Sequence, residues 1–274
     1  MSMKPPHPLS AQASIAFEDR DFLMREEMRA NRIALEFSRA DLLLRDQGVK
    51  STIVVFGSAR TRASKQKRSG QPSTQKRQRG AKQLPSQDLS TWYAEAREFG
   101  RISSERGGAL SPVDGVRENI IATGGGPGIM EAANRGAAEA GAPTIGFNIS
   151  LPTEQRPNKY ITPGLSFQFQ YFAVRKMHFA IRANALAIFP GGLGTLDELF
   201  EVLTLKQTRK ITGMPVILFC RGYWERVIDF SALLEMGTIS AKDIDLFKIV
   251  DSAEEGWQAM LEYGLTTPTP LREI

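Results

Sequence analysis

A run of nine residues at 190–198, PGGLGTLDE, has the composition of an anion-binding turn that leads into a helix. Glycine lets a backbone turn sharply and approach a ligand closely, and the glycines here are Gly191, Gly192 and Gly194. Thr195 falls near the start of the helix, where unpaired N–H groups and the helix dipole favour negative charge. The spacing therefore predicts a phosphate site at this turn.

Two other apolar runs end in turns of the same kind. GGGPG follows NIIAT and supplies Gly125, Gly126 and Gly128, while Gly57 and Ser58 follow STIVVF. None of these turns matches the G-x-G-x-x-G of dinucleotide-binding folds or the G-x-x-x-x-G-K-[ST] of P-loop enzymes. Such glycines also serve tight strand-to-helix turns that bind nothing, so both interpretations stay open at this point.

Glu198 lies about one helical turn beyond Thr195, beside the predicted phosphate site. A carboxylate in that position would repel a bound phosphate, and Asp197 can already complement the helix dipole. A carboxylate close to a phosphate, but not on it, could act on ribose hydroxyls or on a cation that develops at the anomeric carbon. Glu198 is therefore a candidate catalytic group, with a dipole-complementing acid as the alternative.

Arg175 and Lys176 stand in YFAVRKMHFA, a helical pattern that precedes the strand leading to Pro190. The start of that helix and the end of the next strand lie at the same edge of a parallel sheet, so Arg175 and Glu198 can face one cleft. A solvated basic pair on a helix surface is the alternative. His178, in the same pattern, is interpreted as a packed or capping histidine.

Continuous apolar strands alternate with helical patterns along most of the chain, which predicts a doubly wound, Rossmann-like α/β fold with a mostly parallel sheet and helices on both faces. Residues 150–166 hold three prolines and are interpreted as a loop, and 223–236 as one helix. The predicted organisation is a flexible tail at 1–17, a helical extension at 18–48, a nucleotide-binding catalytic domain at 50–265 with a disordered basic insertion at 62–85, and a tail at 266–274.

Composition and charge narrow the function classes. The net charge of +5 comes from residues 62–82, which hold eight Lys and Arg and no acid, and removing those eight charges leaves −3 for the rest. The segment has no aromatic residues for base stacking, which favours a solvated insertion over a nucleic-acid contact. One cysteine and two histidines offer little for a disulfide framework or a zinc site. We expect a cytoplasmic protein with no metal, no cofactor and no membrane span.

Three motifs together resemble one known family. TGGGPGIMEAANRGA, the Arg-Lys pair at 175–176, and PGGLGTLDE at 190–198 are similar to the Lonely Guy (LOG) phosphoribohydrolases. The family pattern P-G-G-x-G-T-x-x-E is present without a mismatch. The N-terminal extension, the basic insertion and the long loop before Arg175 resemble a longer bacterial type.

The resemblance implies an enzyme that cleaves the N-glycosidic bond of nucleoside 5′-monophosphates, such as AMP or cytokinin ribotides, and releases the base and ribose 5-phosphate. Glu198 would be the catalytic carboxylate and Arg175 its partner, in a homodimer or larger homo-oligomer. In the family the turn at 190–198 holds the 5′-phosphate, which implies Gly191, Gly192, Gly194 and Thr195 as its ligands here. The resemblance further implies that ribose and base are bordered by Gly125, Gly126 and Met130. Four neighbouring positions complete the implied substrate-binding set: Gly57, Ser58, Gly128 and Lys176.

Two other functions remain in view. Related folds carry nucleotides or the molybdenum cofactor without catalysis, although a carrier has no need for a carboxylate near a glycosidic bond. Chains of this type are also labelled lysine decarboxylases, but the sequence shows no recognisable Schiff-base lysine motif or pyridoxal phosphate frame.

Overall fold

The computed structural model describes residues 15–63, 89–151 and 156–267. The predicted tail at 1–17 and the predicted insertion at 62–85 lie largely outside these ranges, as does most of the C-terminal tail. The described ranges contain the helical extension and most of the α/β body.

The body is built on one sheet of seven strands in the order β4-β3-β2-β1-β5-β6-β7, and every neighbouring pair is parallel. Side chains of the central strands are buried on both faces, as their continuous apolar runs require. The predicted doubly wound α/β fold is confirmed. The strands are β1 Thr52–Phe56, β2 Ile120–Thr123, β3 Thr144–Ile149, β4 Ser166–Phe169, β5 Ala183–Ile188, β6 Val216–Phe219 and β7 Lys248–Val250.

Helices cover both faces of the sheet and create two apolar cores. One core lies under α2, α5, α6 and α7, and the other under α3, α4 and α9. The helices are α1 Arg20–Leu23, α2 Arg29–Asp46, α3 Ser90–Arg106, α4 Ile129–Glu139, α5 Phe172–Ile181, α6 Leu193–Gln207, α7 Arg221–Val227, α8 Phe230–Glu235 and α9 Ala253–Glu262, with 3₁₀ turns at Glu26–Met28 and Ala241–Leu246.

Two local predictions were wrong. The sequence interpretation contained no strand between the loop at 150–166 and the next helix, whereas Ser166–Phe169 forms β4 at the edge of the sheet, with Phe167 and Phe169 turned inward. The single helix predicted over 223–236 is divided into α7 and α8. Asp229 causes the break because its side chain accepts a hydrogen bond from the Ala232 N–H and so starts a new helix.

The N-terminal extension packs along α5, the helix that carries Arg175. Glu36 on α2 accepts hydrogen bonds from the Gln170 and Tyr171 N–H groups, just before α5 begins. Asp41 pairs with Arg182 just beyond the other end of α5, at 2.7 Å. His178 is fully buried between them, as a packed histidine, with Nε2 3.2 Å from the Phe37 carbonyl oxygen.

The chain changes direction in the sheet at β1. It runs outward from β1 through β2 and β3 to β4, and then returns to β5 on the other side of β1. Doubly wound folds bind ligands outside the carboxyl ends of the strands at such a switch point. The glycine turns at 57–58 and 191–194 follow β1 and β5 directly, and the turn at 124–128 follows β2.

Candidate active site

A cleft of about 650 Å³ opens at the carboxyl ends of β1, β2, β3 and β5. Arg175 and Glu198 both line it, although they come from different helices, α5 and α6. Gly57, Ser58 and Met130 line it as well. The structure thus brings the two candidate catalytic residues together with turns from three parts of the chain.

The start of α6 forms one end of the cleft. Gly192 is the N-cap residue, and Gly192, Gly194 and Thr195 all line the cleft. N–H groups in the first turn of a helix lack acceptors within that helix, and the dipole adds partial positive charge there. Ser58 lines the cleft beside this turn, and its N–H donates a 3.0 Å hydrogen bond to the Pro190 carbonyl. This end has the geometry of an anion site.

Five of the predicted binding residues do not line the cleft: Lys176 on α5 and the turn residues Gly125, Gly126, Gly128 and Gly191. Gly128 has a φ of 76°, and a Cβ there would lie 2.3 Å from the Ser58 carbonyl oxygen. A side chain would therefore separate the turns after β1 and β2. Direct contact between these five residues and a ligand stays a prediction.

Lys176 is directed toward α6. Its Nζ lies 2.8 Å from Asp197 Oδ2 and 2.8 Å from Glu201 Oε2. Burial alone would lower the pKa of Lys176, but the hydrogen bonds to these two acids raise it overall. Lys176 is therefore a fully charged lysine that joins α5 to α6, which does not suit a nucleophilic or Schiff-base role because those need the neutral amine.

The side chain of Arg175 is fixed at the wall of the cleft. Its Nε donates a 2.8 Å hydrogen bond to the Phe147 carbonyl, and the guanidinium lies 5.0 Å from the centre of the Phe179 ring. Gly124 permits this position, since a Cβ there would lie 2.7 Å from Arg175 Nη2. Burial lowers the pKa of Arg175, while Glu198 and Asp197 raise it. A guanidinium stays protonated in proteins, so the cleft has a fixed positive charge.

Glu198 is a buried carboxyl group with a strongly shifted pKa. It is 6% exposed, and burial raises its pKa to about 7, against the opposing charges of Lys176 and Arg175. Within the described ranges Glu198 has no ion-pair partner, because Lys176 pairs with its neighbours Asp197 and Glu201. A carboxyl group that titrates near neutrality in a cleft is characteristic of functional sites.

The raised pKa of Glu198 has a consequence for stability. An unfolded glutamate ionises near pH 4.5, so the folded protein loses stability as pH rises from there through about 7. We expect the free energy of unfolding of Glu198→Gln to equal that of the wild type near pH 4.5 and to be higher by about 2 kcal/mol at pH 8.5. Denaturant unfolding at the two pH values measures this difference. If the variant is no more stable than the wild type at pH 8.5, Glu198 is not a buried carboxylate without an ion-pair partner.

The sequence interpretation missed several cleft residues, among them Asn148, Arg60 and Phe172. Asn148 ends the buried part of β3, Arg60 follows the turn after β1, and Phe172 begins α5. A polar residue at the end of an apolar strand was the available signal for Asn148, and the segment GSAR contained Arg60. Phe172 had no distinguishing signal because its position depends on how α5 meets the sheet.

Within the described residues, no group of three or more His, Cys, Asp or Glu side chains could hold a metal ion. None of the helices described is both long enough and apolar enough to cross a membrane.

Comparison with known proteins agrees with the motifs. Residues 130–260 match the family described as "Possible lysine decarboxylase". The probable cytokinin riboside 5′-monophosphate phosphoribohydrolase LOG4 of Oryza sativa subsp. japonica is 28% identical over 141 residues, which are 50% of this chain and 60% of the rice protein. LOG3 of Arabidopsis thaliana, a cytokinin riboside 5′-monophosphate phosphoribohydrolase, is 28% identical over 150 residues, 53% of this chain and 68% of that protein.

The solved structure of a molybdenum cofactor binding protein from Rippkaea orientalis covers 78% of this chain and 96% of its own, with 20% sequence identity and a TM-score of 0.47. The matched family region includes α5, β5 and the PGGLGTLDE turn of the cleft. The chain is similar to the LOG proteins over about half of its length, and the resemblance predicted from its motifs is confirmed.

Proposed function

We propose that this protein hydrolyses the N-glycosidic bond of nucleoside 5′-monophosphates, with AMP or cytokinin ribotides as substrates. The observation that carries the proposal is Glu198, a buried carboxyl group without an ion-pair partner among the described residues, in the same cleft as the open start of α6. The relatives named as phosphoribohydrolases support the same reaction.

In this reaction the bond between the anomeric carbon and the base nitrogen breaks, and the base leaves with the bonding electrons. Water adds its oxygen to the anomeric carbon, and its proton balances the charge on the departing base. The sugar passes through an oxocarbenium-like state that a nearby carboxylate stabilises. Ionised Glu198 would supply that negative charge and orient the water or the ribose hydroxyls.

The anion site would hold the 5′-phosphate at the opposite end from the broken bond. The backbone N–H groups of Leu193 and Gly194, with the Thr195 hydroxyl, are suited to the phosphate oxygens. Arg175 adds a positive charge close to the sugar and keeps part of Glu198 ionised, since its charge lowers the pKa of that carboxyl group. Binding energy from the phosphate fixes the sugar for attack.

Neither alternative function fits the cleft as well. A nucleotide or molybdenum-cofactor carrier would gain nothing from a buried carboxyl group that repels phosphate, because its ionisation costs stability. A pyridoxal-dependent decarboxylase needs a neutral lysine for the Schiff base, whereas Lys176 forms ion pairs with Asp197 and Glu201. The hydrolase therefore remains our proposal.

We also propose that the protein is a homodimer or a larger homo-oligomer, as the LOG resemblance implies. Several large apolar side chains are exposed, among them Leu193 at 86% exposure and Phe172, which both line the cleft, and Phe200 on α6. Exposed apolar groups of this kind are typical of surfaces that a partner covers.

A comparison of nucleotide and nucleoside tests the proposed reaction. We expect AMP to yield free adenine and ribose 5-phosphate, and adenosine to have a kcat/KM lower by about 10²-fold because it lacks the remote binding energy of the phosphate. Chromatography of the released base measures both reactions. Equal hydrolysis of adenosine and AMP, or no base release from a panel of 5′-monophosphates, would refute the proposal.

A further inference from the structure

Asn148 stands at the end of the cleft that is remote from the anion site. It ends the buried part of β3, which is three strands away from β5 in the order β5-β1-β2-β3. Parallel strands lie about 4.8 Å apart, so the two ends of the cleft are separated by roughly 14 Å. A nucleotide whose phosphate occupies the start of α6 would therefore extend its base toward Asn148.

The amide group of Asn148 can be oriented in only one way. Its Nδ2 donates to the Phe167 carbonyl at 3.1 Å and lies 3.4 Å from the Gly146 carbonyl and 3.3 Å from Ser166 Oγ. Carbonyl oxygens only accept hydrogen bonds, so a flipped amide would place two acceptors against each other. Strand β4 therefore fixes Asn148 with its oxygen turned away from Phe167.

The oxygen of Asn148 is an acceptor placed beside the glycine turn after β2. A Cβ on Gly125 would lie 2.2 Å from Asn148 Oδ1, so only glycine leaves room for the oxygen there. No described residue donates a hydrogen bond to this oxygen, and Asn148, which lines the cleft, is 7% exposed. The oxygen is not fully buried, so water can reach it when no ligand is bound. A base that fills the cleft displaces that water, and the acceptor is then costly to leave unpaired unless the base itself supplies the donor.

The surroundings of Asn148 suit a flat base. Ile149, Leu151 and Phe172 line the cleft on this side, together with Met130 from the start of α4. Pockets of this kind combine apolar walls with a few placed polar groups that determine specificity. An acceptor such as Asn148 Oδ1 in an otherwise apolar part of the cleft selects a ligand edge that carries N–H.

We propose that Asn148 determines base specificity by accepting a hydrogen bond from an exocyclic amino group, so that the cleft favours amino bases over their oxo counterparts. An oxo base such as hypoxanthine or uracil would place a carbonyl oxygen against Asn148 Oδ1, leaving two buried acceptors without a donor. Sites that bind a polar group strongly reject analogues that leave the site's own polar groups unpaired. This inference rests on the proposed nucleotide site.

The test compares AMP with IMP, and CMP with UMP, in the wild type, Asn148→Ala and Gln168→Ala. Gln168 is the matched control because it pairs opposite Asn148 on β4, and its side chain is exposed and outside the cleft. We expect wild type and Gln168→Ala to favour the amino member of each pair by about 30-fold in kcat/KM, and Asn148→Ala to reduce the preference to about 3-fold or less. Inhibition by ribose 5-phosphate should be unchanged in both variants, which shows that the anion site is intact.

Three outcomes of the activity comparison would overturn the inference. Equal use of AMP and IMP by the wild type would do so, as would an unchanged preference in Asn148→Ala. Loss of discrimination against 2′-deoxy-AMP, with the base preference retained, would assign Asn148 to the ribose. If no monophosphate is hydrolysed, the proposed function fails, and the same four nucleotides are compared by binding calorimetry. An amino preference that depends on Asn148 would still support the inference there.

Discussion

Glu198→Gln should lower the kcat for AMP hydrolysis by about 10³-fold to 10⁴-fold and leave AMP affinity within a few-fold of the wild type. The amide keeps the shape of the side chain but cannot supply the negative charge that stabilises the developing cation on the sugar. Removal of a carboxylate near the phosphate also relieves repulsion, so binding has no reason to weaken. Steady-state release of adenine and calorimetric AMP binding measure the two quantities separately.

Glu201→Gln is the matched control for this prediction. Glu201 lies one turn further along α6, its side chain is 37% exposed, and its contact is with Lys176, outside the cleft. Lys176 would retain its ion pair with Asp197. We expect turnover of this variant to stay within about three-fold of the wild type, as for most exposed ion pairs. Near-normal turnover of Glu198→Gln would remove the basis of the proposed mechanism.

Arg175→Ala should lower kcat/KM for AMP by about 10³-fold, at the upper end of what one fixed electrostatic group contributes. The loss removes a positive charge that the Phe147 carbonyl holds at the cleft. It also lets the pKa of Glu198 rise, because the charge of Arg175 lowers that pKa. The plot of kcat/KM against pH should therefore shift to higher pH in the variant, and its maximum should also be lower.

A second variant separates the position of Arg175 from its charge. Gly124→Ala keeps the guanidinium but introduces a Cβ 2.7 Å from its Nη2 and 2.9 Å from Met130 Sδ. We expect a smaller fall in kcat/KM, in the same direction as for Arg175→Ala. Circular dichroism and Tm of both variants check that the fold is retained. Wild-type activity in Arg175→Ala would exclude a role for Arg175 at the substrate.

Much of the cleft could be predicted from local patterns. The turns before α4 and α6 are short segments, and their glycines permit a sharp turn and close approach of a ligand wherever the segments lie in the fold. Continuous apolar strands predicted a sheet covered on both faces, and in such a sheet the ends of neighbouring parallel strands meet at one edge. That geometry was sufficient to infer that Arg175 and Glu198 share a cleft.

Other features depend on contacts between segments that are distant in the chain. Strand β4 forms because Phe167 and Phe169 pack against an apolar surface beside β3. The alternation of apolar and polar residues over only four positions does not distinguish a strand from a loop or a helix in the sequence. Lys176 was predicted at the substrate, but whether a helical side chain turns to a cleft or to a neighbouring helix depends on how α5 and α6 pack.

The residue types, their order and the spacing of the glycine turns were enough to predict the fold class, the family resemblance and the two candidate catalytic groups. Only the folded chain shows that Glu198 is desolvated enough to titrate near pH 7, and that β4 turns the oxygen of Asn148 away from the sheet. The reason is physical. Turn geometry and amphipathic pattern are local properties of the chain, whereas burial, hydrogen-bond orientation and pKa are set by the surrounding tertiary contacts.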